Sequence, residues 1–163
     1  MVAAPSTLST DRPGGLRAIL WGGLIAGALD ITYAIVFSYL RSNVSPIVIL
    51  QSVASGLLGA NSYNGGFATA ALGLFLHFLI AYIWATVYYA ASRKLDLLVR
   101  VPYVCGVVYG LLVYVFMNYV VIPLSAAPFK GNTPSTATLV TGLLIHMLGI
   151  GLPIALATRR YSK

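Results

Sequence analysis

Four uninterrupted apolar stretches govern what this chain can fold into. They run over residues 16–40, 67–91, 101–124 and 136–158. At ~1.5 Å rise per residue, each reaches across a hydrocarbon core of about 30 Å. A backbone crossing lipid must satisfy its own hydrogen bonds, so each stretch is expected as a helix. Ordinary soluble domains carry about 25% charged residues. This chain of 163 residues carries 8% and is 59% hydrophobic, which excludes a soluble domain. The predicted fold class is all-α: a polytopic membrane protein with one four-helix transmembrane domain over residues 16–160.

The formal charge of +7 invites a nucleic-acid reading, but its placement argues otherwise. Arg12 and Arg17 precede the first span, Arg93, Lys94 and Arg100 separate the second from the third, and Arg159, Arg160 and Lys163 follow the fourth. Only Arg41 and Lys130 fall on the other side. Positive residues in short loops stay cytoplasmic, so both termini are expected inside, as in a bacterial inner-membrane protein. The lipid bilayer is the expected partner and nucleic acid is not. Ala26-Gly27-Ala28 resembles a signal-peptide cleavage site, yet the apolar run continues through Leu40, so a retained first span is expected. Residues 1–15, rich in Pro, Gly, Ser and Thr, read as a flexible cytoplasmic tail. Cys105 is the single cysteine, which rules out an intrachain disulfide or a cysteine-based metal cluster.

Between the first two spans, Ser45-Pro46 signals a helix start, with serine as cap and proline at the first helical position. Ile47, Leu50, Ala54, Leu57 and Leu58 then recur at helical spacing, with Gln51, Ser52 and Ser55 opposite. A short amphipathic outer helix over about 46–58, too short to span, is predicted there. An internal repeat is also visible. Residues 68–77 align without a gap with residues 137–146, matching Ala, Thr, Gly, Leu and His. Gly23/Gly27 and Gly106/Gly110 give the first and third spans the same Gly-x-x-x-Gly spacing. Two related helix pairs are therefore expected, related by an axis along the membrane normal.

Each span carries one buried polar candidate: Asp30, His77, Asn118 and His146. Each lies on a stripe of small residues, where Gly23, Gly27, Gly73, Gly106, Gly110 and Gly142 allow helices to approach. Asp30, His77 and His146 sit about ten residues, or ~15 Å, from the outer end of their spans. The four are expected to converge, joined by Tyr33 or Tyr114, with a histidine as partner to the Asp30 charge. Fastening of the bundle is one role for such a cluster, at about 0.6 kcal/mol per hydrogen bond. Ligand or proton binding is the other, since histidine titrates near neutrality and buried ionisable residues mark functional sites. His77 and His146 also suit two-sided ligation of haem b in an electron-transfer protein, and a His-His-Asp set suits zinc or iron. Otherwise no cofactor is expected. No nucleophile or phosphate-loop motif appears, so enzymatic activity is not expected. A two-sided solute or proton pathway would call for a homo-oligomer or a larger membrane complex. Tyr88, Tyr89 and Tyr103 read as interface anchors.

The spacing from His77 to Lys94, Gly106-x-x-x-Gly110, Met117-Asn118-Tyr119-x-x-x-Pro123-Leu124 and Gly142-x-x-x-His146 resembles the YagU-like family of bacterial inner-membrane proteins. The resemblance covers residues 68–160 and departs from the family at Asn118, where a histidine is expected, and in a shorter first outer loop. It implies localisation and architecture; no catalytic residues come with it.

Overall fold

The structure, a computed structural model, describes residues 13–129, 131 and 133–162. Most of the expected tail, with Arg12, lies outside the described residues, as do Lys130 and Lys163. Helix α1 spans Pro13–Ser42, α2 Pro46–Leu58 and α3 Gly66–Ser92. A single turn, α4, covers Leu97–Arg100. It is followed by α5 at Pro102–Leu124 and α6 at Thr136–Tyr161. Four of these, α1, α3, α5 and α6, are long and apolar enough to cross a membrane. Their outward surface is studded with large apolar side chains, among them Phe75, Leu112 and Leu148. That is the surface a lipid-facing helix needs, because lipid tails take the place of a hydrophobic core.

Local chemistry explains the helix boundaries. Pro46 and Pro102 open α2 and α5, where the missing N–H is one the helix would leave unpaired anyway. The Ser45 carbonyl accepts from the amides of Val48 and Ile49, but its side chain makes no capping bond, contrary to expectation. Gly59 ends α2 at φ +62°, a conformation that costs little only without a Cβ. Ser135 does cap α6, its hydroxyl accepting from the amide of Thr138 at 3.2 Å.

Both α5 and α6 contain one widened turn. The amide of Ile122 bonds to the Met117 carbonyl and that of Leu152 to the Met147 carbonyl, five residues back rather than four. Each widened turn ends two residues before a proline, Pro123 or Pro153. Proline inside a helix lacks an amide and crowds the carbonyl four residues back. Inserting an extra residue into the preceding turn relieves that crowding.

Helix α1 packs between α3 and the carboxy-terminal half of α6, and α5 runs along α6. Small residues permit both approaches. A Cβ on Gly27 would strike the Phe78 ring and one on Gly23 the Tyr82 ring. On α5, Gly106 and Gly110 lie against the backbone of Gly151 and of His146. By contrast α3 and α5 do not pack along their length; tyrosines bridge them. The Tyr109 hydroxyl donates to the Trp84 carbonyl at 2.6 Å, and its ring meets Tyr88 edge-on. Tyr88, expected at the interface, is instead fully buried and donates to the Leu98 carbonyl, whereas Tyr103 is exposed.

Helix α2 turns its polar side inward. Gln51 and Ser55 are buried while Leu57 is 64% exposed. The Gln51 amide donates to the Gly66 carbonyl at 3.0 Å and to the Thr69 hydroxyl at 3.3 Å, and Gly73 brings α3 against the Leu50 carbonyl. In lipid the apolar face seeks the solvent and the polar face the protein, the reverse of a water-soluble helix.

The α5–α6 contact carries a direct test. A branched side chain in place of Gly110 collides with the His146 carbonyl, so Gly110→Ile should cost about 1–3 kcal/mol or more. Leu112→Val, on the exposed face, should stay within about 0.5 kcal/mol. Thermal unfolding of the purified variants in detergent compares the two.

Candidate functional site

The gap between α3 and α5 is a partly open cavity of ≈ 260 Å³. Ala26, Gly27 and Asp30 of α1 form its back with Ile150 and His146 of α6. One side is His77, Ile80, Ala81 and Trp84 of α3, and the other is Val113 and Met117 of α5. Ser52, Val53 and Gly56 of α2 close the end near the α5–α6 connection, together with Ser125, Ala127 and Phe129. The Ala126 amide donates to the Gly56 carbonyl at 2.9 Å and ties this roof together.

Three of the four expected polar residues, Asp30, His77 and His146, line this one space. Asn118 does not. Its side-chain amide donates to the Tyr114 carbonyl at 2.9 Å, one turn back on the same helix. Asparagine commonly satisfies itself this way inside a helix. Tyr33 and Tyr114 are not on the wall either. The Tyr33 hydroxyl donates to Thr141 at 2.6 Å, fastening α1 to α6. The Tyr114 ring stands edge-on against His146, with centroids 5.1 Å apart, and packs over Gly142.

Both histidines are oriented by backbone carbonyls. The His77 Nε2–H donates across to the Gly27 carbonyl of α1 at 2.9 Å. The His146 Nδ1–H donates to the Gly142 carbonyl on its own helix, also at 2.9 Å. The residues equated by the sequence repeat thus make different bonds.

The expected partnership of Asp30 with a histidine is not formed. Among the described residues the sole ion pair is the exposed Asp96–Arg100, at 3.4 Å. Asp30 is half-buried on the cavity wall and makes no hydrogen bond to another described side chain or backbone group. Each histidine instead gives one ring N–H to a backbone carbonyl, and His146 interacts with Asp30 only through its charge, without an ion-pair contact.

Nor does the arrangement match the metal alternatives. No group of three His, Cys, Asp or Glu side chains among the described residues could hold a metal ion. Haem-ligating histidines normally donate Nδ1–H to a carbonyl and offer Nε2 to iron. His146 has that arrangement; His77 has the opposite one.

Sequence reasoning missed Ser52, Trp84 and Phe129 as wall residues. Ser52 was legible as a polar position on a short outer helix, but which way it faced was not. Trp84 lies two turns from His77 on the same face of α3, and that periodicity was a usable signal. Its ring is held edge-on by Tyr109 and Phe116.

The fold and the cavity define an all-α polytopic membrane protein with a largely apolar chamber between its helices, into whose wall Asp30, His77 and His146 are set. No family model, curated protein or solved structure matches the chain.

An unpaired Asp30 leads to a stability prediction. An ionised aspartate inside a span costs at least ~2.5 kcal/mol, and the amide avoids that cost at equal size. Asp30→Asn should therefore unfold at the same temperature as wild type or higher. A fall of several degrees in the melting temperature would make the carboxylate a structural fastener instead.

Proposed function

We propose that this is a multi-pass inner-membrane protein, non-enzymatic, whose chamber binds a small solute or protons at Asp30, His77 and His146. One observation carries this reading: a carboxylate within an apolar span faces a partly open cavity, with no hydrogen-bond or ion-pair partner among the described residues. A residue kept only to fasten helices would be expected to hold a partner, as Tyr33 and His77 do. An aspartate without one needs water or a ligand to be tolerated at that depth.

Charge placement supports an orientation with both termini cytoplasmic. Arg17, Arg93, Lys94, Arg100, Arg159 and Arg160 gather at one end of the described helices, and Arg41 lies at the other. The chamber then lies toward the outer side, beneath the roof formed by α2. The YagU-like spacing is in keeping with this location, and the chamber calls on no cofactor. The repeated helix pairs suit a duplicated solute-binding bundle, and assembly of two copies would supply a two-sided pathway.

Water access is the test. In a Cys105→Ala background, Ser52→Cys should react in intact cells with a small water-soluble methanethiosulfonate, because a hydrated thiol can ionise. Leu112→Cys, on the lipid-facing surface, should not. Failure of Ser52→Cys to react removes the chamber as a binding site. Reporter fusions at each terminus and in the 125–135 loop check orientation; an external terminus overturns it.

A further inference from the structure

The protons on the chamber wall can be accounted for one group at a time. Nε2 of His77 and Nδ1 of His146 each lie 2.9 Å from a backbone carbonyl, which only accepts, so each carries a hydrogen. In the neutral ring the remaining nitrogen is then a lone pair: Nδ1 on His77 and Nε2 on His146. The hydroxyls follow the same pattern. Ser52 donates to the Ile49 carbonyl and Ser125 to the Ile122 carbonyl, both at 2.7 Å. An ionised Asp30 accepts only. Among the described residues, the indole N–H of Trp84 is the side-chain donor on the wall not already given to a carbonyl, and it sits two turns along α3 from His77. No lysine or arginine among the described residues lines the space.

Resting on the binding reading above, we infer that the chamber's ligand is a small protonated primary amine with an apolar body. An alkylammonium carries one positive charge and three donors, which complements a carboxylate beside imidazole lone pairs. Ile80, Val113, Ile150 and Trp84 supply apolar surface for the rest of the molecule. From His77 to Trp84 that surface runs ~10 Å along α3 at 1.5 Å per residue. A quaternary ammonium has the charge but nothing to donate, so the acceptors would lose water without replacement. A carboxylate-bearing ligand would face Asp30 with no cation among the described wall residues to offset it.

Three probes of similar shape separate these cases: 2-phenylethylamine, its N,N,N-trimethyl derivative and 3-phenylpropanoate. Isothermal titration calorimetry on the full chain in detergent should show saturable binding of the amine. The trimethyl form should bind roughly tenfold more weakly or worse, and the acid not at all. Asp30→Asn should weaken amine binding by roughly tenfold or more. Equal binding of the trimethyl form, binding of the acid, or no saturable amine binding overturns the assignment. Should Asp30→Asn fail to fold, the three probes on the wild-type chain still decide it. No amine binding alongside a reactive Ser52→Cys sinks the amine and leaves the chamber; an unreactive Ser52→Cys sinks both.

Discussion

Lipid gives an apolar helix no hydrophobic reason to prefer a neighbouring helix over acyl chains, so association falls to close packing and hydrogen bonds. In this chain α5 and α6 approach backbone to backbone, where Gly106 and Gly110 lie on the backbone of Gly151 and His146. Helix α1 is fixed in turn by Gly23 and Gly27 beneath aromatic rings of α3, and by the Tyr33–Thr141 bond to α6. With α5 held to α6 and α3 held to α1, the remaining pair, α3 and α5, stays apart. The chamber is the consequence. It is a by-product of where the glycines lie, and the polar residues take up positions on its wall.

The same economy governs protons. With little water to share, polar side chains in the bundle hand their hydrogens to nearby carbonyls: Asn118 to Tyr114, His146 to Gly142, Ser52 to Ile49. Such bonds stabilise the bundle modestly, about 0.6 kcal/mol each on average. Their larger effect is chemical, since they set which lone pairs remain to face the chamber. Asp30, once ionised, has no hydrogen to give, and it stands on the wall with no hydrogen-bond or ion-pair partner among the described residues.

Much of this was legible in the sequence, for identifiable reasons. The spans follow from apolar length, and α2 from the Ser45-Pro46 start and its helical spacing. The convergence of Asp30, His77 and His146 follows from equal depth and from their place on small-residue faces. Asn118, on the same kind of small-residue face but nearer the outer end, turned onto its own helix, because depth and face do not tell whether an amide bonds locally. The expected Asp30–histidine contact is replaced by bonds from both imidazoles to backbone carbonyls, a choice that depth and face do not reveal. The inward polar face of α2 was hidden by symmetry: an amphipathic pattern gives two faces and not which one meets protein. The widened turns before Pro123 and Pro153 went unread, although the amide each proline lacks and the carbonyl it crowds were signals for them.

The central claim is that the chamber presents acceptors because its two histidines hold their protons on opposite ring nitrogens. The chain has two histidines, so nitrogen-15 solid-state NMR of imidazole-labelled protein in bilayers reports on these residues alone. A His77→Gln variant assigns the signals. Two neutral rings are predicted, protonated at Nε2 in His77 and at Nδ1 in His146. Two rings of the same tautomer, or two imidazolium rings, would contradict the account.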